Sequence, residues 1–210
     1  MTSAALLLVF MDPPADDVAS WNAWYDDEHV PNRLAVPGIR SGRRYSAASD
    51  DGPRYLATYD LENLDTLQTP EYKRLAERSE REKAQIARTP MVDRRIYRTV
   101  LSADELAETP PYQLTVSMEP PTGAEEDYVA WYREEHIPML LDVPGWRRVR
   151  VFEQVDGKGP RFTALHELDS PGVFDEAAYR SATSTPWRDK VVNSVTRRER
   201  FLFKRYSRAG

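Results

Sequence analysis

The stretch Trp24-Tyr25-Asp26-Asp27-Glu28-His29-Val30-Pro31 occurs twice, returning as Trp131-Tyr132-Arg133-Glu134-Glu135-His136-Ile137-Pro138. The offset that carries Trp24 onto Trp131 also carries Val36-Pro37-Gly38 onto Val143-Pro144-Gly145, and Gly52-Pro53-Arg54 onto Gly159-Pro160-Arg161. It carries Asp60-Leu61 onto Glu167-Leu168 and Tyr72 onto Tyr179. Rare residue types matching at one fixed offset are not an accident of composition. The chain is a tandem duplication of a unit of about half its length, and any fold proposed for one unit must hold for two. We place the first half at residues 1–101, a polar linker at 102–111 and the second half at 112–210.

Hydropathy gives each half the same order of elements. Ala4–Met11 is a continuous apolar run, as expected of a strand buried on both faces. Asp16-Asp17 puts negative charge at the start of an amphipathic helix over Val18–His29. Pro31 lacks an N–H and is predicted to end or kink that helix. Ile39–Ala47 and Arg54–Leu61 read as strands, the latter with Tyr55, Ala57 and Tyr59 on one face and Leu56, Thr58 and Asp60 on the other. Thr69-Pro70-Glu71 is a helix start, and a highly charged helix is predicted over Glu71–Arg88. Met91–Leu101 is a fourth strand. The second half repeats the series: strand Tyr112–Glu119, helix Glu126–His136, strands Trp146–Val155 and Arg161–Leu168, helix Phe174–Ser181 broken near Pro186, and strand Thr196–Tyr206. The predicted class is α+β: two ferredoxin-like βαββαβ units, each an antiparallel sheet with helices on one face. The uncovered faces close on each other into an eight-stranded barrel.

Composition removes several functions. The formal charge of −5 gives no basic field for a nucleic acid backbone, and the pairs Arg43-Arg44 and Arg147-Arg148 read as exposed strand faces. No cysteine is present, which excludes disulfides, thiolate catalysis and Cys-ligated metals and fits a cytoplasmic location. The apolar run at Ala4–Phe10 is too short to span a bilayer, so no membrane association is expected. The chain carries no G-x-G-x-x-G, P-loop or G-x-S-x-G motif. Glu28-His29 and Glu135-His136 are sequence neighbours, which diverge on a helix, so no metal site and no cofactor are expected.

The element order, the duplicated Trp-Tyr-x-x-Glu-His-x-Pro and the Val-Pro-Gly that follows it resemble the dimeric α/β-barrel superfamily, and within it the EthD-like branch. Two fused copies would make the family's dimer one chain, so a monomer (a pseudo-dimer) or a homodimer of it is expected. The resemblance implies a pocket between sheet and helices in each half, with the helix-borne His near its mouth. It also spans many chemistries, from polyketide cyclases and isomerases to monooxygenases, and fold does not choose among them.

Two of the three histidines, His29 and His136, lie in the repeat. Tyr25 and His29 are four residues apart, as are Tyr132 and His136, so each pair shares one side of its helix. A histidine oriented by a phenol is a serviceable general acid or base; the helix C-terminal dipole would also favour a histidine there for structural reasons alone. Trp24 and Trp131 read first as core anchors and second as walls of a binding site. After the proline the first half offers Asn32 and Arg33, which suit a carbonyl or carboxylate, whereas the second offers the apolar Met139 and Leu140. The repeat places Tyr59 and His166 at equivalent strand positions, as second members of each site or as core residues.

The expected partner is a small-molecule substrate that is apolar, aromatic or polyketide-like and carries a carbonyl. The expected reaction is proton abstraction leading to cyclisation, dehydration or isomerisation, as in a lyase or isomerase. A cofactor-free monooxygenase and a non-catalytic ligand-binding barrel remain as alternatives.

Overall fold

Strand β1 (Ala5–Asp12) is apolar along almost its whole length because it is covered on both faces. The computed structural model describes residues 4–75, 77, 79–104 and 106–207. Residues 76 and 78 of the predicted helix Glu71–Arg88, residue 105 of the linker and the outermost residues of both halves lie outside them. With β2 (Ile39–Ala47), β3 (Tyr55–Leu61) and β4 (Met91–Leu101), β1 forms a sheet in the order β4-β1-β3-β2. The strands β5 (Tyr112–Glu119), β6 (Trp146–Asp156), β7 (Phe162–Leu168) and β8 (Arg197–Arg205) repeat it as β6-β7-β5-β8. Tyr45–Ala47 of β2 pairs with Phe203–Arg205 of β8, and β4 pairs with β6, all antiparallel. The eight strands therefore close into one barrel with no free edge.

Strand alternation sorts the apolar residues into three clusters. Leu6, Leu8, Phe10, Tyr45, Leu56, Tyr97, Phe152, Leu165 and Phe203 fill the barrel interior, drawn from both halves. Leu7, Tyr55, Ala57 and Tyr59 face outward onto Trp21 and Trp24 of the first half's helices. Leu114, Val116 and Ala164 face outward onto Tyr128 and Trp131 of the second half's. The repeated Val-Pro-Gly has a backbone reason: Gly38 and Gly145 sit at φ +91° and +86°, which L residues with a Cβ rarely adopt.

The helix after β1 departs from expectation. Helix α1 (Val18–Trp24) starts at Asp17, whose side chain accepts from the Ser20 N–H. Pro31 does not end it. The chain passes through one π turn over Tyr25–His29 and continues as α2 (Val30–Leu34). The Val30 N–H bonds to the Tyr25 carbonyl, five residues back, so the widened turn leaves room for the proline ring and removes its clash with the preceding turn. The predicted helix Glu71–Arg88 is likewise two pieces, α3 (Pro70–Arg74) and α4 (Glu80–Arg88), because Ser79 is extended and caps a new start. In the second half α5 (Glu125–Trp131), a π turn over Tyr132–His136 and α6 (Ile137–Leu141) copy the first arrangement. There α7 (Ala177–Ala182) and α8 (Pro186–Ser194) stand for α3 and α4.

The arginine pairs also differ from expectation. Arg147 is exposed, but Arg44 and Arg148 are only 7% exposed each. Arg44 ion-pairs with Asp26, and Arg148 with Glu167, so each guanidinium is buried with a carboxylate beside it, although Arg148 shares Glu167 with Arg150.

Phe203, fully buried at the short β2–β8 seam and stacked on Phe10 with ring centroids 6.0 Å apart, ties the halves together. Phe203→Ala is expected to cost about 3–5 kcal/mol of stability, read as a lower midpoint in urea unfolding; a change below about 1 kcal/mol would show that the seam does not hold the barrel closed.

Candidate active site

The π turn decides where the repeated histidine points. It brings the Tyr25 and His29 rings to a centroid distance of 4.5 Å, with Trp24 5.0 Å from the same imidazole. His29 is 7% exposed, and its Nδ1 lies 3.2 Å from Oε1 of Glu82, which is itself buried. Glu82 comes from the first turn of α4. Ser79, the cap of that helix, accepts from the Glu82 N–H and donates at 2.5 Å to Glu28, the residue before His29. One capped helix start therefore fixes both the histidine's neighbour and the histidine's carboxylate.

Trp24, Tyr25 and His29 border a cavity of about 120 Å³ between α1, α4 and the outer face of β1, with Glu82 behind the histidine. Its walls are mainly apolar: Leu7, Val9, Met11, Trp21, Trp24 and Ile86, with Tyr25, His29 and Arg33 as the polar groups nearest the repeated motif. Arg33 also reaches the Tyr72 ring at 6.0 Å. Asn32 is exposed on α2 and does not line the cavity, because the turn that aims Arg33 inward aims its neighbour out. Tyr59 stands behind the cavity, its hydroxyl 3.4 Å from that of Tyr25. Burial raises the pKa of both phenols, so they are neutral hydrogen-bonding groups at pH 7. Beneath Tyr25, the Arg44 guanidinium lies 4.3 Å from the ring centroid and is held at 2.6 Å by Asn22.

The second half reuses the scaffold with different chemistry. Thr185 caps α8, accepts from the Arg188 N–H and donates at 2.5 Å to Glu135. The place of Glu82 is therefore taken by Arg188, that of Arg33 by Leu140 and that of Tyr59 by His166. A smaller cavity of about 50 Å³ is bordered by Trp131, Tyr132, His136, Leu140, Trp146, His166 and Arg188. His136 stacks on Trp131 at 4.4 Å. Burial pushes its pKa down to about 4, and Arg188 adds to the shift against a backbone hydrogen bond to Ala182. Burial, then His136 and Arg200, lowers His166 well below its usual value. His136 Nδ1, both His166 nitrogens and Trp131 Nε1 are buried without a hydrogen-bond partner.

The structure thus brings Trp24, Tyr25, His29 and Arg33 to one cavity and Trp131, Tyr132, His136 and His166 to another. Sequence reasoning missed Glu82 and Arg188. Their one signal is a Ser or Thr cap three residues ahead of each, which is visible only once the helix break is known. Among the described residues no group of three or more His, Cys, Asp or Glu side chains could hold a metal, and no helix is long and apolar enough to cross a membrane.

The architecture has counterparts among solved structures. An anthrone oxidase-like protein superposes with a TM-score of 0.65 at 15% identity, covering 98% of this chain and 92% of that one. The chain shares the dimeric α/β-barrel fold. A mutant chlorite dismutase from Candidatus Nitrospira defluvii (TM-score 0.64, 9% identity, 98% and 92% covered) and a monooxygenase-like protein from Listeria innocua (0.59, 9%, 99% and 96%) have it too. At such identities the likeness is one of fold. The chain matches no protein-family model and no curated protein.

His136 binds its proton less readily folded than unfolded, so the stability it contributes is complete above pH 6.5 and is lost as pH falls from 6.5 towards 4. Unfolding free energy measured in urea is expected to decline across that window by a few kcal/mol, and His136→Gln to decline less steeply; equal slopes would show that His136 is solvated and protonated in the folded state.

Proposed function

We propose that the first-half cavity is the reaction site of an enzyme acting on a small, largely apolar, aromatic or polyketide-like carbonyl compound. The single observation that carries this is the buried His29–Glu82 pair at the edge of an apolar cavity. A neutral imidazole that takes a proton from carbon or from a phenol becomes a cation, and the Glu82 carboxylate stabilises that cation and fixes the ring's orientation. In this reading His29 is the general base, Glu82 its positioning partner, and Arg33 holds the oxygen on which negative charge develops. Tyr25, kept neutral and backed by Tyr59, donates to the same oxygen or to the leaving hydroxyl. Trp21 and Trp24 supply flat apolar walls for a ring system.

The second cavity is the poorer base site, since burial and Arg188 oppose an imidazolium there and outweigh the backbone hydrogen bond to Ala182 that favours it. His136, Tyr132, Trp131 and His166 would bind rather than react: Trp131 Nε1 has a hydrogen bond to donate to a ligand, and the neutral His166 ring one to donate and one to accept.

The products of such a proton abstraction define the reaction type: cyclisation, dehydration or isomerisation when the enolate stays within the substrate, and oxygenation when it meets O₂. Neighbours of the same fold named anthrone oxidase-like and monooxygenase-like favour giving the oxygen reading equal weight. The placement in the EthD-like branch rests on the repeated motif alone. A reducing cytoplasmic setting and a pseudo-dimeric monomer fit this reading.

Anthrone and a linear aromatic β-polyketone are the substrates to supply, with product followed by absorbance and O₂ by electrode. His29→Ala is expected to lower kcat/KM by roughly 10²–10⁴-fold, and His136→Ala to stay within a few-fold of the parent. Glu82→Gln removes the charge that favours the imidazolium, so the acid limb of the pH–rate profile moves to lower pH while kcat falls. Full activity in His29→Ala sinks the assignment; O₂ uptake matching product formation selects oxygenation over rearrangement.

A further inference from the structure

Away from both helix-covered cavities, the linker end of the barrel interior holds a set of charges that the proposed reaction does not use. The repeat that carries Asp60 onto Glu167 carries Arg43 onto Arg150 and Ser41 onto Arg148. All six border one cavity of about 180 Å³. One water needs only roughly 10–15 Å³ of such space, so the cavity is more than ten times that size.

The charges inside are incompletely matched. Asp60 uses both oxygens, accepting from Arg43 at 2.7 Å and Arg150 at 2.6 Å. Glu167 uses one: Arg148 lies 2.5 Å and Arg150 3.6 Å from its Oε1. Among the described residues, the three guanidinium groups of this cluster thus face two carboxylates, leaving one positive charge over; Arg40, which also borders the cavity, lies 3.7 Å from Glu62. Glu167 Oε2 and Arg150 Nε are buried without a partner, on side chains only 4% and 8% exposed. Burial works to raise the Asp60 pKa, but Arg150, Ser41 and Arg43 outweigh it and hold the carboxyl at about 2. A purely structural ion cluster would be balanced and fully bonded, since each buried unpaired charge or orphaned polar atom costs stability. In the first half, where Ser41 stands in place of the extra arginine, the Arg43–Asp60 pair is balanced. The surplus enters with Arg148 alone.

We propose that this barrel end binds a small hydroxycarboxylate, or a substrate's hydroxycarboxylate end. The surplus of one positive charge calls for a monoanion, and the planar guanidinium of Arg148 or Arg150 suits a carboxylate held side by side. The unpaired Glu167 Oε2 calls for a donor next to that carboxylate, which a hydroxyl supplies and an alkyl group does not. Ser102, Ala103, Leu106 and Thr109 border the cavity on its open side; Thr109 accepts from Arg43 Nε at 3.3 Å, and the Asp104 carbonyl accepts from Arg148 at 3.2 Å.

The arginine Nε–H resonances of the intact chain, titrated with glycolate, with acetate and with chloride at matched ionic strength, test this. Glycolate is expected to shift the Arg150 Nε–H saturably and to bind at least ten-fold tighter than acetate, with chloride producing no saturable shift. Arg148→Ser, which copies what the first half carries at Ser41, is expected to weaken glycolate binding at least ten-fold. A cavity filled by water only predicts no saturable shift with either acid and overturns the proposal, as do equal affinities for the two acids. Glycolate binding unchanged in folded Arg148→Ser overturns it too. Should that variant not fold, the titration of the parent chain decides alone.

Discussion

Each half of this chain builds a four-stranded sheet that is apolar on both faces but has helices for only one. Everything else follows from the need to cover the second face. Leu6, Leu8 and Phe10 of β1 point away from their own helices, and their neighbours in the interior cluster include Phe152 and Leu165 of the other half. A half on its own would expose this row to water at about 25 cal/mol per Å² of apolar surface, and would leave β2 and β4 as unpaired edges. Closing the barrel removes both penalties in one step. Fusing the copies also makes the encounter intramolecular, at an effective concentration that two separate chains would not reach.

Because the closure is made by the inward faces, the outward face of each sheet is free to differ. The two halves keep the same backbone device there. A π turn sets tyrosine and histidine side by side, and a Ser or Thr cap is tied to the glutamate preceding that histidine. On that shared frame the residue one turn into the helix is Glu82 in one copy and Arg188 in the other. A single exchange of charge gives one histidine a partner for its proton and leaves the other buried and neutral. Divergence at a few positions thus gives the two copies differently charged surroundings for the same histidine.

Much of the fold was legible in the sequence, because repeats and alternation report burial directly. The faces assigned to Tyr55, Ala57 and Tyr59 against Leu56 hold in the structure, and strand boundaries differ by a residue or two. What was not legible depends on groups that meet only in three dimensions. Pro31 looks like a helix stop unless one knows that a π turn can absorb it, and nothing local distinguishes the two outcomes. Glu82 sits in a run of charges, where a buried carboxylate looks like its solvated neighbours until His29 is placed beside it. Arg44 of β2 and Arg148 of β6 were misread for the same reason: a charged side chain is normally outside, and the exception needs a counter-charge on a different element, Asp26 for the one and Glu167 for the other. The repeat did contain a hint, since Arg43 and Asp60 map onto Arg150 and Glu167 together.

That co-mapping bears on how the barrel end is built. Asp60 accepts from an arginine of its own half and from Arg150 of the other, so the ion cluster bridges the two copies at the point where their strands converge. A bridging cluster of this kind sets the relative register of the halves more sharply than apolar packing, which tolerates small shifts, because a carboxylate with two fixed forks has one good position. The same geometry limits what the second half can do with its extra arginine. Arg148 cannot relocate to the surface without leaving Glu167 to the longer Arg150 contact at 3.6 Å, so the cluster's excess charge stays inside the barrel end. The device that aligns the two copies is therefore also what holds an unbalanced positive charge beside a solvent-sized space. A ligand arriving there would meet groups whose positions are already fixed by folding, with little ordering left to be done on binding.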